Sequence, residues 1–154
     1  MVKVRVGEDL AHSDIRVKVR LDFKGSSKPG RFIFGGKPTE KVAEELREHQ
    51  AAFLRNVPLQ GVRIEDLDLS MDVYTVVDEV ENREVAYAPI SLVVRADSLE
   101  DLLMFVARDE FRKIEILEPT EIVMNRFDVE RLLFGMNREI VKYRDNLEKK
   151  LNSR

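Results

Sequence analysis

Leu67-Asp68-Leu69-Ser70-Met71-Asp72-Val73-Tyr74-Thr75-Val76-Val77 carries apolar or β-branched residues at every odd position, with mostly polar residues between them. A period of two sends alternate side chains to opposite faces, so this segment predicts a half-buried strand. Just upstream, Val62 and Ile64 occupy even positions, and the phase slips near Glu65-Asp66, as a β-bulge or a bend requires. A chain reversal at Glu81-Asn82 sets Val73 opposite Ile90, Met71 opposite Leu92 and Leu69 opposite Val94, with Asp68 opposite Arg95. A slip of one residue sets charge against apolar side chains throughout, so residues 67 to 96 are expected to form an antiparallel hairpin.

Working outward, Asp97-Ser98-Leu99-Glu100-Asp101 reads as a strand end followed by a capping box, with Ser98 and Asp101 satisfying free helix N–H groups. Leu99, Leu102, Leu103 and Val106 form the expected buried stripe of that helix. A strand follows at Lys113 to Glu118, and Pro119 ends it. Before the hairpin, Pro38 to Asn56 predicts a helix with a stripe through Val42, Leu46, His49 or Gln50, and Phe53. Val2, Val4 and Val6, then Ile15, Val17, Val19, Leu21 and Phe23, alternate with basic residues in two further strands. The order predicts an α+β domain of the ferredoxin-like split βαβ kind (βαββαβ) over residues 1–125, with an extra N-terminal strand.

Residues 126–154 add a long C-terminal helix. Val129, Leu133, Met136, Ile140, Tyr143 and Leu147 recur at spacings of four and three, which is a heptad seam. Such a seam serves packing within the monomer, an interface between subunits, or a partner protein.

The chain has 154 residues, 44% of them hydrophobic and 36% charged, with a formal net charge of -3. This is one domain's length, and its charge balance argues against a general nucleic-acid or membrane binder. With no cysteine, disulfides, thiolate nucleophiles and iron–sulfur ligation are excluded. The N-terminal residues alternate charge with Val rather than forming a signal peptide, and no run approaches the roughly 20 apolar residues that span a bilayer. The cytoplasm is the expected compartment, and the high charge with few Gln is compatible with a thermophilic source.

Chemistry-bearing residues are few. His12, in an expected loop from Gly7 to Asp14, and His49 are the only histidines, and no G-x-S-x-G, H-E-x-x-H or G-x-G-x-x-G sequence occurs. No catalytic residue, metal site or cofactor is assigned. Asp66 to Asp72 resembles the start of a calcium loop by letter, but Met71 stands where the turn requires Gly and Val77 where a bidentate Glu belongs. Asp68 and Asp72 are expected instead on a solvated sheet face, paired with Arg95 and the basic row Arg16, Lys18, Arg20. That face lacks stacking rings apart from Tyr87 at its far end, so nucleic acid is not an expected ligand. Gly35-Gly36-Lys37-Pro38-Thr39 enters a helix N-terminus, where free N–H groups favour anions; Lys28, Gly35, Gly36, Lys37 and Thr39 form a candidate anion site in loop 25–39.

The run Ile90 to Leu103, followed by Lys113-Ile114-Glu115-Ile116-Leu117-Glu118-Pro119-Thr120-Glu121-Ile122, resembles the C-terminal extension domain of WYL-type bacterial transcriptional regulators. In that family a strand, a Leu-rich helix and a strand ending in Leu-Glu-Pro close a ferredoxin-like domain. The resemblance implies fold rather than site, and transfers no functional residue. The functional expectation is a non-enzymatic regulatory or protein-interaction domain that self-associates; the alternative is a small-ligand or anion binder, or an enzyme of unrecognised type, centred on loop 25–39.

Overall fold

Alternation of apolar and charged residues from Ile15 to Gly25 produces the strand around which everything else is laid. The chain runs β1 (Val2–Val6), β2 (Asp9–Ser13), β3 (Ile15–Gly25), α1 (Thr39–Asn56), β4 (Val62–Asp68), β5 (Tyr74–Asp78), β6 (Arg83–Ala96), a 3-10 turn (Glu100–Leu102) leading into α2 (Leu103–Val106), β7 (Phe111–Glu118), β8 (Ile122–Val123) and α3 (Arg126–Asn152). The computed structural model describes residues 1–6, 9–26, 38–80 and 82–153.

β3 pairs antiparallel with β6 on one side and β7 on the other, and β4 lies beyond β6, giving the order β4-β6-β3-β7. β5 pairs with the opposite end of β6. A second sheet, β2-β1-β8, is built on the N-terminal hairpin. Val17 and Val19 of β3, with Leu92 and Val94 of β6, face α1 and α2, and all four are completely buried. Arg16, Lys18 and Arg20 take the other face of β3, which no helix covers among the described residues. The domain is therefore α+β, with its helices on one side of the main sheet and a charged face on the other.

The hairpin register differs from expectation. Leu92 faces Leu67 rather than Met71, Val94 faces Ile64 rather than Leu69, and Asp68 faces Ser91 rather than Arg95. Two alternating strands tolerate any even shift without exposing an apolar residue, so the pattern fixes the face but not the register. What moves the register is a break at residues 69–73. There the Asp68 carboxylate accepts the Ser70 N–H at 2.8 Å, and Arg47 of α1 donates to the Met71 carbonyl at 2.8 Å. The chain leaves the ladder and rejoins it as β5, with Val73 packed against Ala86 and Ala88. The turn that closes β5 onto β6 places Asn82 at φ 50, a conformation Asn tolerates. The phase slip near residue 65 is a bulge, with the shift falling between Ile64 and Asp66.

Four further expectations change. Residues 9 to 13 form β2 rather than a loop, with His12 exposed opposite Lys3. On α1 the buried residues are Ala43, Ala51 and Leu54, and Phe53 is 47% exposed, because helix α1 meets β3 and β6 through its small residues. In the short helix Phe105 is buried and Val106 exposed, since the 3-10 turn advances the helix phase before α2 begins. Ser98 does accept the Asp101 N–H at 3.3 Å, but its hydroxyl donates to the Asp101 carboxylate, so the reciprocal half of the capping box is not made.

Candidate functional site

α3 begins firmly. Asn125 accepts the Asp128 N–H at 2.9 Å while the Asp128 carboxylate accepts the Asn125 N–H at 3.0 Å, a complete capping box. That backbone N–H, helped by Arg131, holds the Asp128 carboxyl below its ordinary range. Lys149 and Lys150 occupy the last turn, where the helix dipole favours cations. Twenty-seven residues make a helix about 40 Å long.

Little of that length is used by the monomer. Gly135 is the one buried residue of α3, lying so close to the short helix that a Cβ there would come within 2.9 Å of the Leu103 methyl. Each of the six seam residues is exposed, from 42% at Val129 and Leu147 to 63% at Ile140. The seam lies beside the face that holds Gly135, not on it. Between the two helices, Leu103, Val106 and Ala107 on one side and Met136, Ile140 and Tyr143 on the other enclose an apolar groove of about 340 Å3, with Glu139 at its rim. Seam and groove form one continuous apolar strip. Phe127 and Phe134 are also exposed, on a different side of the helix.

The candidate anion site is not brought into view. Lys28, Gly35, Gly36 and Lys37 lie outside the described residues; Thr39 is the first residue of α1 and half-buried, preceded by Pro38. Among the described residues no cluster of three or more His, Cys, Asp or Glu side chains has the geometry to hold a metal ion.

On the uncovered sheet face the ion pairs also differ from those expected. Glu65, the bulge residue, bonds both Arg16 at 2.8 Å and Arg95, and these two guanidinium groups, Arg16 foremost, lower its pKa. Asp14 joins Arg95 at 3.1 Å and Arg63 at 2.7 Å. A bulge turns a side chain that alternation assigns elsewhere toward its neighbours, which is why Glu65 rather than Asp68 serves these arginines.

One group went unnoticed in the sequence. Asp22 is 2% exposed and accepts from Arg20 at 2.9 and 3.1 Å and from the Tyr74 hydroxyl at 2.5 Å. Tyr74 stacks on Tyr87 with ring centroids 5.3 Å apart, and Arg112 lies over Tyr87 and 3.7 Å from Asp22. The available signal was a single acid in the otherwise basic row Arg16, Lys18, Arg20, Lys24. This cluster ties β5 to β3 and leaves its polar atoms mutually satisfied, so it reads as a structural fastening.

Comparison of the chain with known protein families, with proteins of established function and with solved structures returns no match. No described helix is long and apolar enough to cross a membrane.

Proposed function

We propose that this chain is a regulatory protein-interaction domain of the ferredoxin-like split βαβ kind, and that it self-associates through the seam of α3. The order β4-β6-β3-β7, with every neighbouring pair antiparallel, supports the fold reading. It also agrees with the resemblance of residues 90–122 to the extension domain of WYL-type regulators.

The observation that carries the functional reading is the exposure of all six seam residues in the monomer. An amphipathic helix lying on its own domain buries its stripe. Here the stripe stands open beside the contact face, and its repeat of four and three is the one by which helices interlock with other helices. Together the six side chains offer an apolar patch on the order of 500 Å2, a size that is often functional. The adjoining groove extends this toward the roughly 800 Å2 that each partner gives to a stable interface. The occupant is a second copy because its own seam supplies the matching repeat.

Sedimentation of the full chain tests the reading. The wild-type protein should sediment above the monomer mass, and Leu133→Glu combined with Ile140→Glu should return it to the monomer while the circular dichroism spectrum is kept. A wild-type chain that is monomeric at every concentration sinks the proposal.

A further inference from the structure

A seam that repeats in heptads can join its copy in two directions, and the residues flanking it differ between them. Taking Leu133, Ile140 and Leu147 as one core row and Val129, Met136 and Tyr143 as the other, the borders carry Leu132, Glu139 and Asn146 on the groove side and Glu130, Asn137 and Arg144 on the far side. In an antiparallel pair centred on this seam, like borders meet. Glu130 then faces Arg144 of the second copy, but the two Glu139 carboxylates come together on the axis beside the apolar groove. In a parallel pair, unlike borders meet. Glu139 of each copy then lies beside Arg144 of the other, twice over, and no like charges are opposed along the seam.

The groove adds a second reason. Glu139 stands at its rim and its side chain is mostly covered, held by Lys142 at 3.2 Å, whereas Arg144 is two-thirds exposed with Asp145 at 4.0 Å beside it. A long arginine stem can lie along Val106 and Ala107 with its guanidinium at the Glu139 carboxylate. Two carboxylates brought together at that rim would repel each other, each with only its own Lys142 beside it to offset the like charge.

Resting on the self-association proposed above, we infer that two copies pair their α3 helices parallel and in register, with Glu139 of each beside Arg144 of the other. The direction is readable directly, because the chain has no cysteine. In a parallel pair Leu147 meets Leu147 of the second copy, so Leu147→Cys alone should give a covalent dimer on mild oxidation. Leu147 is outside the core, so the variant keeps the fold. Glu139→Arg should slow that cross-linking severalfold, and adding Arg144→Glu in the same chain should restore it.

In an antiparallel pair Leu147 meets Val129, so a covalent dimer formed only when Val129→Cys and Leu147→Cys chains are mixed overturns the parallel arrangement and leaves self-association standing. A dimer that sediments as such yet cross-links in neither form places the contact elsewhere and overturns it too. A monomer in sedimentation removes this inference together with the reading beneath it.

Discussion

The Tyr74 hydroxyl donates a 2.5 Å hydrogen bond to the Asp22 carboxylate, joining a strand that enters late in the chain to the middle of the central one. β5 pairs only with β6 among the described residues, so this bond, together with the Lys24–Asp78 ion pair at 3.8 Å, links it to β3. Tyr74→Phe should cost about 1–2 kcal/mol, since it removes a donor from a buried carboxylate that Arg20 still holds. Burial, and then Asp22, raises the Tyr74 pKa. A raised folded-state value means stability fully present below the unfolded value of about 10 and lost as pH climbs through the folded one. Denaturant titrations from neutral to strongly alkaline pH should show that loss in the wild type and a smaller one in Tyr74→Phe.

Glu65 gives the opposite sign. Arg16 first, and Arg95 with it, lower its folded-state pKa below the ordinary glutamate value. The stabilisation is therefore present above the unfolded value of about 4.3 and disappears as pH falls through the folded one. Glu65→Gln should be less stable than wild type near neutrality, and the gap should close in acid. A gap that is constant with pH would assign the effect to the bulge rather than to charge.

The short helix separates core from surface within two adjacent residues. Phe105 is 1% exposed and part of the main cluster, whereas Val106 faces the groove. Phe105→Ala should cost roughly 3–5 kcal/mol. Val106→Ala should cost no more than about 0.5 kcal/mol in dilute solution. Equal losses in chemical denaturation would contradict this placement.

Phe134 tests which side of α3 makes the proposed contact. It is 73% exposed, more than any seam residue, but lies away from the seam. Phe134→Ser should leave the sedimenting mass unchanged, while the smaller change Ile140→Ser should lower it at equal concentration. Hydrophobicity without position predicts the reverse order.

Most of the strand and helix boundaries were legible in the sequence, because periods of two and of 3.6 are written directly in Ile15 to Phe23 and Val129 to Leu147. The register of β4 and β5 against β6 was not, since Leu67 and Met71 satisfy the same alternation and only the break after Asp68 chooses between them. Nor was the exposed state of Phe53 or the buried state of Phe105, which depend on how small residues of α1 meet the sheet and on where a 3-10 turn ends. The seam was legible as a repeat. Its openness was not, because that follows from Gly135 bringing a neighbouring face of α3 against Leu103. Asp22 shows the remaining limit: a lone acid in a basic row signals nothing until Tyr74 arrives from a strand 52 residues away.

The main cluster closes around β3, β6, α1 and α2 without a single residue from α3. Mutational drift at the six exposed seam residues, unlike drift at Gly135, is thus uncoupled from the information that specifies the fold. On the proposed self-association, a lineage carrying this domain changes or loses assembly one seam substitution at a time, without passing through an unfolded ancestor.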